Sequence, residues 1–204
     1  GVVSQHAASK IKLIQSANLT TQQAIDLGSA VLSLEGPGTF TNGQPFVLDQ
    51  SGAGLELKGS VEAAGAVKLG GGVLRSSGDS KLSGALSLSS NATVEIASQK
   101  TLTYSGAEVS IGQNTLTMEG GGKLFNSSAL VLEDGQSDLT LDGIGLINSI
   151  RVDADSDEER GLELKKSAEI TTLELTKAAV LSILEGAELS GAVKLNSGSS
   201  LIPS

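Results

Sequence analysis

From Val31 onward the chain alternates apolar and polar residues in short bursts: VLSL, FVL, LELKG, AVKL, ALSL, ATVEI, TLTY, EVSI, TLTM, ALVL, DLTL and IRVDA. Each burst has the two-residue period of a strand with one buried face, and Gly, Ser, Asn or Asp closes it. Four or five residues between turns are too few for ordinary long hairpins. Few hairpin dipeptides appear, and Asn42-Gly43 and Asp142-Gly143 are the main candidates for tight hairpin loops.

The bursts recur at a fixed interval. Ala85 to Gly106, Ala107 to Ser128 and Ala129 to Ile150 form three successive blocks of 22 residues, each carrying three short strands. In the second strand, Val94 and Ile96 stand 22 residues before Leu116 and Met118, which stand 23 before Leu139 and Leu141. Leu102, Leu124 and Leu146 repeat at 22 in the third, as do Asn126 and Asn148 in LFNS and LINS. A related segment comes later: KLSGALSLSS from Lys81 is matched by ELSGAVKLNS from Glu188. Three strands in about 22 residues is one turn of a three-sided parallel coil, each side taking four or five residues and each corner two or three. The spacing therefore predicts an all-β fold: a single-stranded right-handed parallel β-helix, or three-sided β-solenoid, over 31–204. It would have roughly eight turns and be about 40 Å long, its hand set by the crossover preference of parallel strands. An antiparallel sandwich of the same short strands is the competing arrangement.

This pattern resembles the right-handed parallel β-helix proteins of bacterial surface adhesins, autotransporter passengers and polysaccharide-active enzymes. Asn126 and Asn148 resemble the stacked corner asparagines of that superfamily, whose side chains bond along the stack. The likeness covers most of Val31 to Ser204 and is specific for fold, not for function.

Residues 1–30 read differently. QHAASKIKLIQSANLTTQQAIDL, from Gln5 to Leu27, has less Gly, and Thr20 or Thr21 is placed to cap a short helix through Ile25. A solenoid exposes its apolar lumen at each end, so this segment is expected to be an N-terminal cap or assembly segment, as a helix or an irregular strand; the alternative is a first, imperfect coil. Ile11, Leu13 and Ile14 at this end, and Leu201 and Ile202 at the other, are the expected assembly residues. No polar helix follows Leu201 and Ile202, so another copy, further chain or a fold-back of the last residues is expected to cover them.

Composition narrows the chemistry. With 14 Lys and Arg against 23 Asp and Glu, the net charge of -9 argues against nucleic acid and against anionic membrane surfaces. No apolar run is long enough for a membrane-spanning helix. The absence of Cys removes disulfides and thiolate chemistry, and one His, His6, removes His dyads and multi-His metal sites. The charge run RVDADSDEER holds Asp153, Asp155, Asp157, Glu158 and Glu159, whose alternation suits a calcium loop of oxygen ligands. It departs from the EF-hand pattern, since no Gly follows the third Asp and Leu164 stands where the distal Glu belongs. A solvated excursion from one corner is the plainer reading, and no other cofactor is expected. For hydrolysis of glycans, Asp138, Asp142, Arg151, Asp153 and Asp155 would lie outward on adjoining sides. The paired Asp, Gly-His-Gly and Arg-Lys motifs of pectinase-type enzymes are absent, and Phe40, Phe46 and Phe125 read as core or corner residues.

These features lead to an expectation of a secreted or surface-displayed, non-enzymatic structural protein, bacterial in type: a fibre or filament subunit or adhesive stalk. Its main partner would be a copy of itself, joined head to tail, with host or environmental glycans as a further partner class. Gly1 opens the chain without an export leader, so secretion is inferred from architecture alone. The rival readings are a monomeric glycan- or receptor-binding module, a polysaccharide lyase or hydrolase fragment, and an intracellular polymerising scaffold.

Overall fold

The computed structural model describes residues 2–4, 8–133, 137–154, 161–177, 180–183, 186–196 and 200–203. Short apolar bursts separated by turn residues place consecutive strands on different faces. The next strand on the same face arrives one turn later, running the same way. Among the described residues, ten parallel strands stack in one sheet. They run from Ser9–Lys12 through Val31–Glu35, Gly54–Lys58, Val73–Ser76, Ala92–Ile96, Thr115–Glu119, Asp138–Asp142, Gly161–Leu164 and Val180–Ile183 to Ser200–Pro203. A second sheet holds Val2–Ser4, Ala24–Asp26, Phe46–Leu48, Val67–Leu69 and Leu86–Leu88. The third rises from Asn18–Thr21 to Lys123–Asn126 and on into Leu146–Ala154. The result is an all-β parallel solenoid of about eight turns and about 22 residues per turn, without a helix among the described residues.

Alternation fixes what fills the lumen. Leu32, Leu55, Leu74, Val94, Met118, Leu141 and Leu164 lie in register on successive rungs, and all are buried. Burying each such side chain contributes about 1.5–3 kcal/mol. Val94, Leu116 and Leu139 sit on three consecutive rungs, as the period requires.

Local register departs from the sequence expectation in three places. Val94 pairs with Met118 and Ala92 with Leu116, so this step is longer than the block period by two. Leu124 pairs with Ile147, while Leu146 lies opposite Lys123 on the outer side. Third, Asn18–Thr21 and Ala24–Asp26 are strands of a first coil and not the helix capped by Thr20 or Thr21 that was one of the expected forms; they pair with Thr39–Asn42 and Phe46–Leu48. Pairing with the rung above satisfies more backbone groups than one isolated helical turn could. Phe40 and Phe46 are buried, 5.6 Å apart by ring centroid, whereas Phe125 is 55% exposed on the outer wall, opposite Thr103.

The second sheet is interrupted above Leu86–Leu88, and one side chain bridges the break. Leu86 N–H donates to the Tyr104 hydroxyl at 3.2 Å, and that hydroxyl donates to Ala107 O at 2.8 Å. The phenol supplies what a neighbouring strand would otherwise supply. Burial pushes the Tyr104 phenol above its ordinary pKa, against the smaller opposing effect of the Leu86 amide. Tyr104→Phe keeps the ring and leaves the Leu86 amide without its acceptor. A loss of about 1–2 kcal/mol in chemical denaturation is expected, and an unchanged midpoint would contradict this role.

Candidate assembly ends and corner ladder

The side walls are closed by charge. On the ten-stranded sheet, Lys10, Ser33, Glu56, Arg75 and Glu95 form one outward column in register. Ser33 Oγ donates to Glu56 Oε2 at 2.5 Å, Lys58 pairs with Glu56 at 2.6 Å, and Arg75 Nε bonds Glu95 at 2.8 Å. Lys10 pairs with Glu35 beside this column. Arg151 reaches down to Glu108 with two bonds of 2.9 and 3.2 Å. Solvent-exposed pairs like these are each worth about 1 kcal/mol or less. Their main effect is a charged, hydrated wall.

They also set an acid limit. The Lys58 ammonium, then the Ser33 hydroxyl, hold the Glu56 carboxyl below its ordinary value of 4.5, and the Ser83 hydroxyl does the same for Glu62. A carboxyl lowered in the folded state contributes stability that is complete above its ordinary value and lost as the pH falls through the folded one. Thermal melts are expected to be level from about pH 8 to 5.5 and to fall below about pH 4.5. Loss beginning near pH 6 would contradict the assignment.

The corner asparagines are bonded to each other but not stacked: the one-residue slip that sets Leu146 opposite Lys123 leaves Asn148 one position out of register with Asn126, and each side chain bonds the other's backbone. Asn126 is fully buried, and its Nδ2 donates to Ser128 O at 2.8 Å and Ser149 O at 2.7 Å. Its Oδ1 accepts the Asn148 and Ser149 amides at 3.1 and 3.2 Å, while Asn148 Nδ2 returns a bond of 2.9 Å to Asn126 O. One side chain thereby ties two rungs together at the corner where Leu146–Ala154 passes from one face to the next. Asn42 lies at the end of the strand Thr39–Asn42 and is also buried, but its amide has no hydrogen-bond partner.

Only part of the acidic run falls within the described residues. Asp153 lies one residue before the end of the strand Leu146–Ala154, and its Oδ1 accepts the Thr176 hydroxyl at 2.9 Å. Asp155, Asp157, Glu158 and Glu159 lie outside the described residues, among which no group of three or more His, Cys, Asp or Glu converges as a metal site. Asp138 accepts the Gly161 amide at 3.3 Å and Asp142 pairs with Lys166 at 2.5 Å, so both acids serve neighbouring rungs. A shallow groove near Ser167, Glu169, Glu188 and Ser190 has no aromatic lining on which a sugar ring could stack.

The two ends of the lumen are apolar and open among the described residues. At the upper end Val193 and Leu195 are in register with the buried Leu173 and Leu175, so they face the lumen, yet they are 38% and 48% exposed. At the lower end Leu19, in register with the buried Phe40, is 41% exposed, and Ile14 is 61% exposed. Ile11 is partly buried beneath Leu34, and Leu13 is buried within the chain itself. Leu201 and Ile202 belong to the uppermost strand, paired with Leu181 and Ser182. Val193, Leu195 and Leu19 are further end residues beyond those the sequence singled out.

Among the described residues no helix is long and apolar enough to cross a membrane. Compared with models of known protein families, with curated proteins and with solved structures, the chain matches none. What its own geometry establishes is the fold, a three-sheeted parallel β-solenoid closed along its walls and apolar at its ends.

Proposed function

We propose that this chain is a stiff structural segment, a subunit of an extracellular or cell-surface fibre or adhesive stalk, whose copies join head to tail. The observation that carries this reading is the contrast between wall and ends. Ion-paired, hydrated side chains cover the walls, while lumen-facing Leu19, Val193 and Leu195 meet solvent at opposite ends. An apolar surface at each end of a rod favours a heterologous contact that does not close on itself, and such contacts build filaments. Stiffness follows from the design, because each rung is bonded to its neighbours along the faces and filled by continuous apolar columns.

Light scattering and electron microscopy over rising concentration test the proposal. Rods are expected to lengthen with concentration. The effect should grow with added salt and as the pH is lowered from about 8 to 5.5, because the net charge of -9 falls toward zero at the isoelectric point of 4.6. Monomers at every concentration, salt and pH would overturn it. Glycan-array binding by such monomers would favour a binding module instead, and release of reducing ends from polysaccharides would favour an enzyme.

A further inference from the structure

Rungs of the ten-stranded sheet are unevenly spaced along the chain. One in-register column runs through Ser9, Leu32, Leu55, Leu74 and Val94, then through Met118, Leu141, Leu164, Ile183 and Pro203. Its residue numbers advance by 23, 23, 19 and 20, cross a step of 24, and advance again by 23, 23, 19 and 20. The same cycle is written in the sequence. GLELK at 54–58 returns at 161–165, VL at 73–74 returns at 180–181, and LSGA at 82–85 returns at 189–192, each moved by 107. The two-residue slip where Val94 meets Met118 makes the structural cycle longer than this shift by two.

Side-chain bonding repeats with it. Ser33 donates to Glu56 beside Lys58, and at the same shift Thr140 donates to Glu163 beside Lys165. Gly84 lies against the carbonyl of Gly65, and its counterpart Gly191 lies against that of Ile170. Along the ten-stranded sheet one five-rung cycle is therefore repeated twice.

Within the chain the units join where Ala92–Ile96 pairs with Thr115–Glu119, Thr93 opposite Thr117 and Val94 opposite Met118. Moved up by 107, the first of these strands falls on Ser200–Pro203; moved down by 107, the second falls on Ser9–Lys12. The two end strands of the sheet are thus counterparts of two strands that already pair with each other. On the next face, Val193 and Leu195 are the counterparts of Leu86 and Leu88. Val2–Ser4 is the counterpart of Val109–Ser110, whose turn of the coil follows theirs.

We infer that the upper and lower rungs are complementary docking surfaces for a second copy of this chain, with Ser200 opposite Lys10, Leu201 opposite Ile11 and Ile202 opposite Lys12. This rests on the head-to-tail reading above and adds a register to it. Leu201 and Ile11 are the 107-residue counterparts of Val94 and Met118, so the junction sets one apolar position opposite another, as the internal join does.

The chain has no Cys, so introduced cysteines report without background. A variant carrying Lys10→Cys and Ser200→Cys puts the two thiols on neighbouring parallel strands of adjacent copies, close enough for a disulfide under mild oxidation. A ladder of cross-linked oligomers is expected. Lys12→Cys with Ser200→Cys, two positions out of register, is expected to remain monomeric on denaturing gels. Filaments that cross-link in the Lys12→Cys variant, or in neither variant, overturn the register and leave the head-to-tail reading standing. Monomers throughout overturn both.

Discussion

Gly84→Val is expected to lower the melting temperature by about 6 °C or more, from a loss of about 3 kcal/mol or more. A side chain on Gly84 would overlap the carbonyl group of Gly65 on the rung below, and Gly106 is in turn set 2.6 Å, by its absent Cβ, from Gly84 O. The obstacle is backbone in both directions. Rungs held about 4.8 Å apart by their ladders cannot spread at one corner without breaking the bonds beside it. Val67 N, which bonds Ala85 O at 2.8 Å, and Ser83 N, which bonds Ala63 O at 3.0 Å, are the first at risk. Gly112→Asn provides the comparison. Gly112 has a positive φ of 59° with only the Asn114 amide within 4 Å, a conformation Asn tolerates, so a change under about 1 kcal/mol is expected. Similar melting of the two variants would mean that close approach between rungs does not limit this fold.

The second large effect belongs to Asn126→Ala. Removing the amide deprives the Ser128 and Ser149 carbonyls and the Asn148 and Ser149 N–H groups of a partner, at a corner sealed from solvent. Each buried group left unsatisfied costs about 1–3 kcal/mol, although some can be re-solvated as the corner relaxes, so a loss of about 3 kcal/mol is expected. Asn148→Ala removes one donated bond from a half-buried side chain and should cost about 1 kcal/mol. Amide hydrogen exchange separates a local from a global effect. In Asn126→Ala the Asn148 and Ser149 amides are expected to exchange faster, while those of the strand Gly54–Lys58 keep their protection. Uniform loss along the rod would contradict a ladder that acts on two rungs.

Much of this architecture is written in the two-residue alternation, because it decides which side chains can face a lumen. Leu139 and Leu141 face inward, as the pattern of DLTLD suggests, and Asp138 and Asp142 are free to reach the next rung. Register is harder to read. A slip of two, as between Val94 and Met118, leaves every side chain on its own face, so alternation cannot detect it. A slip of one at the Gly143 to Gly145 corner does change faces, and it moves Leu146 outward in favour of Ile147. The segment around Thr20 carries local helix-start residues that were overridden by pairing with Thr39–Asn42, a contact made one full turn of the coil later. Spacing drew attention to Asn126 and Asn148 but not to the same one-residue slip, which leaves them adjacent in register and not stacked. Tyr104 left no periodic trace, because its role arises from a break in one sheet. Val193 and Leu195 read as ordinary core residues until the rung above them is seen to be missing from the described chain.

Everything rests on residues one turn apart standing one strand spacing apart, and electron-spin distance measurement reads that directly. Val31, Thr117 and Glu163 lie in one outward column of the ten-stranded sheet, Thr117 four rungs above Val31 and Glu163 six. Spin labels at Val31 and Thr117 are expected to lie about 19 Å apart, and labels at Val31 and Glu163 about 29 Å apart, an increase of about 4.8 Å for each rung. Two distances that do not grow with rung number, as in a sandwich whose strands fold back on themselves, would contradict the coil.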